Sequence, residues 1–180
     1  DADAGPLRDW RQQAEEGGFF AENETQASTS VLNPLELAYG ADDRQKLDVY
    51  LPPQARNAPV IVMVHGGAWR TGDKRMRSVV QNKVARWLPK GLIVVSVNYR
   101  LLPEIDPLRQ VVDVAQALTL VQAKAAKWGG DPARVVLMGH SAGAHLVSLL
   151  AAAPEKARSL GVKPWLGTIA LDSAAYDISA

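Results

Sequence analysis

Three stretches of this chain are apolar at nearly every consecutive position: Val60-Ile61-Val62-Met63-Val64, LIVVSVNY at 92–99 and RVVLMG at 134–139. A strand with one wet face alternates apolar and polar residues, so runs apolar on both faces call for parallel strands in a sheet that helices cover on both sides. A fourth such run, LGTIALD, begins at Leu166. Between the runs the spacing turns helical. Asp73 reads as the N-cap of a helix reaching about Leu88, stopped by Pro89 and Gly91. Val111, Val114, Ala115, Leu118 and Val121 recur at helical intervals before Gly129-Gly130, and a third helix runs from Ala142 to about Ala152. Strand and helix in alternation predict a doubly wound, mainly parallel α/β sheet with right-handed crossovers, whose ligands gather at the carboxyl ends of the strands. LELAY and KLDVYL, ahead of Pro52-Pro53, read as a hairpin at the sheet edge.

Residues 1–34 read as an N-terminal extension, with PLRDWRQQAEEGG as a short helix, and residues 35–180 as the α/β domain. At 180 residues the chain can bury roughly 70 % of its unfolded surface. Twenty basic residues against 19 acidic ones leave a net charge of +1, which argues against a nucleic-acid partner. With no cysteine there is no disulfide, thiolate metal site or thiol nucleophile. No metal-ligand spacing or phosphate loop is present, so neither a metal nor an organic cofactor is expected. No apolar run approaches the roughly 20 residues of a membrane-spanning helix. The start at Asp1-Ala2-Asp3-Ala4, without Met, fits a mature chain after removal of a signal peptide and equally an arbitrary boundary within a longer sequence, so the location is left open with a lean to the periplasm or to secretion.

Chemistry concentrates in VVLMGHSAGAHL, residues 135–146, where an apolar strand runs through Gly139-His140-Ser141-Ala142-Gly143 into a helix. A serine on so sharp a strand-to-helix turn takes a strained backbone conformation and projects its hydroxyl into the cleft, and small neighbours let strand and helix approach. Ser141 is therefore the candidate nucleophile. A second motif, His65-Gly66-Gly67-Ala68-Trp69, directly follows another buried strand. Backbone N–H groups of Gly67, Ala68 and Ala142 are candidate donors of an oxyanion hole, in which one donor contributes about 2.7–4 kcal/mol to transition-state stabilisation. Trp69 and His140 are candidates for lining a substrate pocket, although packing accounts equally well for Trp69. Arg100 with Asp113 reads as a structural ion pair, and the KRMR cluster at 74–77 as a solvated helix face.

HGGAWRTGDK at 65–74, VSVNYRLLPE at 95–104, DVAQAL at 113–118 and WGGDPARVVLMGHSAGAHL at 128–146 together resemble the α/β-hydrolase superfamily. Within it they are similar to the bacterial esterase/lipase branch of kynurenine-formamidase-like and hormone-sensitive-lipase-like carboxylesterases. The resemblance covers roughly residues 35–178. It implies attack of Ser141 on a small or medium acyl ester, or on an arylformamide-like amide, through an acyl-enzyme and without a cofactor. It also implies a histidine base and an acid placed after the serine in the chain.

Here the pattern departs from the family. The only histidines are His65, His140 and His145. His140 is adjacent to the serine, His145 reads as facing the sheet, and His65 as bracing the glycine loop. Asp172, closing the last apolar run, occupies a minor position for the acid, and Asp177 is no better placed. The chain is thus read as the N-terminal two-thirds of a hydrolase domain lacking its last strands. A complementary C-terminal segment is the expected source of acid and histidine. The alternative is a hydrolase-like binding or scaffold module whose serine is never activated.

Overall fold

The computed structural model describes residues 33–173. Six strands form one sheet: β1 (Leu35–Ala38), β2 (Lys46–Tyr50), β3 (Ala58–Val64), β4 (Ile93–Val97), β5 (Gly130–His140) and β6 (Gly167–Leu171), in the order β1-β2-β4-β3-β5-β6. The hairpin of β1 and β2 is antiparallel, with Leu37 opposite Leu47, and β2 runs antiparallel to β4. From β4 onward every pairing is parallel: Val62 of β3 lies opposite Val95 on one side and Leu137 of β5 on the other, and β6 pairs with β5. The expected α/β class and the edge hairpin are both found.

Four helices make the crossovers: α1 (Arg77–Trp87), α2 (Pro107–Lys124), α3 (Ala142–Ala152) and α4 (Pro154–Ser159). Strand periodicity assigns them to opposite faces. Val60, Val62 and Val64 join Val95, Val97 and Leu137 in a core with Val111, Val114, Leu118 and Val121 of α2 and Leu146, Val147 and Leu150 of α3. The intervening Ile61 and Met63, with Met138, turn to the other face against Val79 and Trp87 of α1. Each such side chain, fully buried, contributes about 1.5–3 kcal/mol by leaving water.

Two local expectations are corrected. Helix α1 starts at Arg77 with Met76 at its N-cap, so Asp73 is not the cap; its carboxylate accepts the Arg75 N–H at 2.8 Å in the turn before the helix, together with the Asn98 amide and the Arg44 guanidinium. The helix that does begin on an aspartate is α2, where the Asp106 carboxylate accepts the Arg109 N–H at 2.9 Å. Of the KRMR cluster, Arg75, Met76 and Arg77 are exposed as read, but Lys74 is not, and only Arg77 lies on the helix. Lys74 is buried, 2.6 Å from the equally buried Asp48 of β2, and Arg75 joins Asp48 and Glu36. The Arg100–Asp113 pair is present as read, with contacts of 2.7 and 3.0 Å. The expected N-terminal helix lies outside the described residues.

At the far edge, nothing among the described residues pairs with the outer side of β6, and Ile169 is 40 % and Leu171 38 % exposed, with Leu166 just before it 63 %. Parallel strands are ordinarily covered, so this edge differs from the rest of the sheet.

Candidate active site

The carboxyl ends of β3 and β5 are adjacent in the sheet, so the two loops that leave them meet. Ser141 stands between the end of β5 and the start of α3 with φ 53° and ψ −117°, in a region that costs a non-glycine residue roughly 1–3 kcal/mol. The surrounding structure over-determines it. The Ser141 N–H donates to Leu171 O of β6 at 2.9 Å, and the Ser141 carbonyl accepts the His145 N–H at 3.1 Å. A Cβ on Gly143 would lie 2.2 Å from Val64 O, and one on Gly139 would lie 2.3 Å from Gly143 O. These glycines let α3 press its N-terminus against β3, where the helix dipole favours developing negative charge.

The loop after β3 lies against this turn, since a Cβ on Gly66 would be 3.0 Å from Ser141 Cβ and 2.9 Å from His140 O. Its backbone is left-handed at three successive residues: Gly67 (φ 124°), Ala68 (φ 50°) and Trp69 (φ 61°). The bend is tied from inside, where Gly67 O accepts the Arg70 and Thr71 N–H groups. From outside, Trp69 O accepts the Leu102 N–H at 2.9 Å and the Gln110 amide at 3.0 Å, and Gly72 O accepts Arg44 at 2.8 Å. Among the described residues, the N–H groups of Gly67, Ala68 and Ala142 donate to nothing. Backbone donors left without a partner are available to a developing negative charge.

Among the described residues, His65 and His145 bond to this loop and no imidazole bonds the serine. His65 is fully buried and stacks on Tyr99 with ring centroids 4.6 Å apart. Its Nδ1 lies 2.7 Å from Gly66 O; because a carbonyl only accepts, Nδ1 carries the proton and Nε2 faces Arg44 at 3.5 Å. Burial above all holds His65 below the usual histidine range, as it does His145. His145 turns to Trp69, not to the sheet as its spacing predicts: the indole N–H donates to His145 Nδ1 at 3.3 Å, with the rings edge-on at 5.4 Å. His140 is exposed beside Gly66. Among the described residues no imidazole hydrogen-bonds Ser141, and Asp172, exposed with φ 53°, bonds no histidine. Asp177 lies outside the described residues. Among the same residues, no cluster of side chains suits a metal ion, and no helix is long and apolar enough to cross a membrane.

Several residues that hold the site are not evident from the motifs. Gln110 is fully buried on the apolar stripe of α2, and a polar residue at a core position was the one available signal. Asn98 lies within VSVNYRLLPE, which does not reveal what it holds, and Arg44 and Asp48 carry no comparable mark in the sequence.

The family model BD-FAE matches residues 47–172, which include both loops and every strand from β2 to β6. The chain belongs to the BD-FAE family. This BD-FAE chain is 37 % identical over 113 residues to the isoprenylcysteine α-carbonyl methylesterase of Arabidopsis thaliana, a match spanning 62 % of this chain and 26 % of that relative. It is also 37 % identical over 120 residues to esterase LipQ of Mycobacterium tuberculosis, spanning 64 % and 28 %. Among solved structures, a thermophilic esterase of Thermogutta terrifontis superposes with a TM-score of 0.58 at 25 % identity, covering 66 % of this chain and 44 % of that one. The same esterase is also solved with butyrate bound and phosphonylated by cyclosarin. The BD-FAE chain thus has the α/β-hydrolase fold of the esterase/lipase proteins and spans about a quarter of the length of the curated relatives it matches.

Proposed function

We propose that this chain carries the nucleophile and oxyanion hole of a serine carboxylesterase acting on small to medium acyl esters, with arylformamide-like amides as a neighbouring substrate class. The observation that carries the reading is the strained Ser141, held between β5 and α3 against a loop with unpaired N–H groups. The esterase relatives support the ester bond as the target.

In this reading Ser141 Oγ attacks the ester carbonyl carbon as a histidine takes its proton. The carbonyl oxygen becomes an oxyanion held by the N–H groups of Gly67, Ala68 and Ala142. The intermediate collapses, the C–O bond to the alcohol breaks, and the histidine returns the proton to the leaving alkoxide. Water, deprotonated by the same histidine, then releases the acid and regenerates Ser141. Trp69 and His140 border the space next to Ser141 from which the substrate approaches. The histidine and its acid come from a C-terminal segment in the same domain. Three observations support that assignment: among the described residues no imidazole bonds Ser141 and no strand pairs with the outer side of β6, and the relatives are far longer than the matched region. The domain is taken to begin at residue 35, after an N-terminal extension.

Intact mass after exposure to a fluorophosphonate, with and without the C-terminal segment, tests the proposal. One adduct on Ser141 that forms rapidly only with the segment present is the expected result. An unlabelled Ser141 in both cases overturns it and leaves a hydrolase-like binding module, the reading that the missing base would otherwise favour.

A further inference from the structure

The Trp69–His145 contact joins the two halves of the candidate site. Trp69 is the last of the three left-handed residues of the loop after β3, and His145 lies one helical turn beyond Ser141 on α3. The backbone side of Trp69 is fixed through its carbonyl by Leu102 and by Gln110. Its ring is fixed through a single polar bond, from the indole N–H to His145 Nδ1. An indole nitrogen only donates, so that bond exists only while Nδ1 holds a lone pair, which places the His145 proton on Nε2. The edge-on arrangement of the rings adds a second, geometric constraint.

We infer that His145, as the Nε2–H tautomer, is a positioning residue: by accepting from Trp69 it holds the left-handed Ala68–Trp69 turn and so keeps the Gly67 and Ala68 N–H groups beside Ser141. The inference rests on the esterase reading for its catalytic consequence, and on the Trp69–His145 geometry alone for the hydrogen bond. His145 touches no reacting atom in this role. A loop strained at consecutive residues relaxes when a tether is lost, and a displacement of about 1 Å in a site of this kind costs about 100-fold in rate.

Two variants separate acceptor from bulk. His145→Phe keeps a flat ring of similar size without the acceptor; His145→Asn loses ring volume but sets a carbonyl oxygen near the position of Nδ1. The first measurement is the nitrogen spectrum of the histidine and tryptophan side chains in the whole chain. His145 is expected to show a bare Nδ1 and a protonated Nε2 at neutral pH. The Trp69 indole signal and the Gly67 and Ala68 amide signals are expected to move in H145F and to return towards wild type in H145N. The second is the rate of fluorophosphonate labelling at Ser141 with the C-terminal segment present. It should fall about 10- to 100-fold in H145F and recover to within about threefold in H145N. A protonated Nδ1, or H145N as impaired as H145F, overturns the inference. If wild type is not labelled at all, the esterase reading fails, while the nitrogen spectra still decide whether His145 holds the loop.

Discussion

Adding a single methyl group at Gly143 should do more damage than its size suggests. The new Cβ would sit 2.2 Å from Val64 O and 2.6 Å from His65 O, where ordinary contact begins at 3.4 Å. The difference between 3.4 and 2.2 Å leaves 1.2 Å to be made up, and both obstacles are backbone atoms that no rotamer change removes. Helix α3 and strand β3 must therefore separate. Over-packing typically costs about 1–3 kcal/mol, and a backbone-on-backbone clash belongs at the upper end. At about 3 kcal/mol, Tm falls by about 6–12 °C for a chain of this size. Gly167→Ala is the control, because nothing lies within 4 Å of its added Cβ. Scanning calorimetry of the two variants beside wild type is the assay. A G143A protein melting within about 1 °C of G167A would show that the close approach of α3 to β3 is not as described.

Ser141→Gly should raise stability by about 1 kcal/mol, the relieved strain less the added chain entropy, while abolishing fluorophosphonate labelling; urea melts and intact mass check both. Asp48→Ala leaves the buried Lys74 with Glu36, at 2.8 Å, as its remaining carboxylate partner and should cost about 1.5–3 kcal/mol, whereas the double change Asp48→Leu with Lys74→Met should recover most of it in the same melts. Burial depresses the pKa of His65 and of His145, so near and below the ordinary histidine value of about 6.5 the unfolded chain binds more protons than the folded one. Stability should be full above that value and decline as pH falls below it, seen as a lower urea midpoint at pH 5.5 than at pH 7.5, with a shallower slope in His65→Asn.

Two kinds of information decided how much of this was legible in the sequence. The runs at 60–64, 92–99 and 134–139 announce buried parallel strands because apolarity on both faces is a local property. The turn at Ser141 is equally local, since strand, glycines and helix are contiguous. What escaped depends on partners far along the chain. Lys74 looks like a surface lysine until β2 brings Asp48 to it from 26 residues away. Asp73 looks like a helix cap until Arg44 and Asn98 claim its carboxylate. His145 falls where helical spacing points to the sheet, and only the unusual left-handed backbone at Trp69 carries the indole across to it. β5 begins at Gly130, four residues before its apolar run, because Gly130 pairs with Ala58 across an irregularity in the ladder.

The bond from the Ser141 N–H to Leu171 O places the serine in series with an edge strand of the described sheet. Edge strands open at lower free energy than central ones, so the local unfolding that frees β6 also frees one anchor of the strained turn. The Ser141 amide should therefore exchange its hydrogen at the rate of the edge, not at the slower rate of the β3 core two strands away. Any segment that pairs with β6 slows that opening, so the lifetime of the serine's geometry is governed from a surface it does not touch.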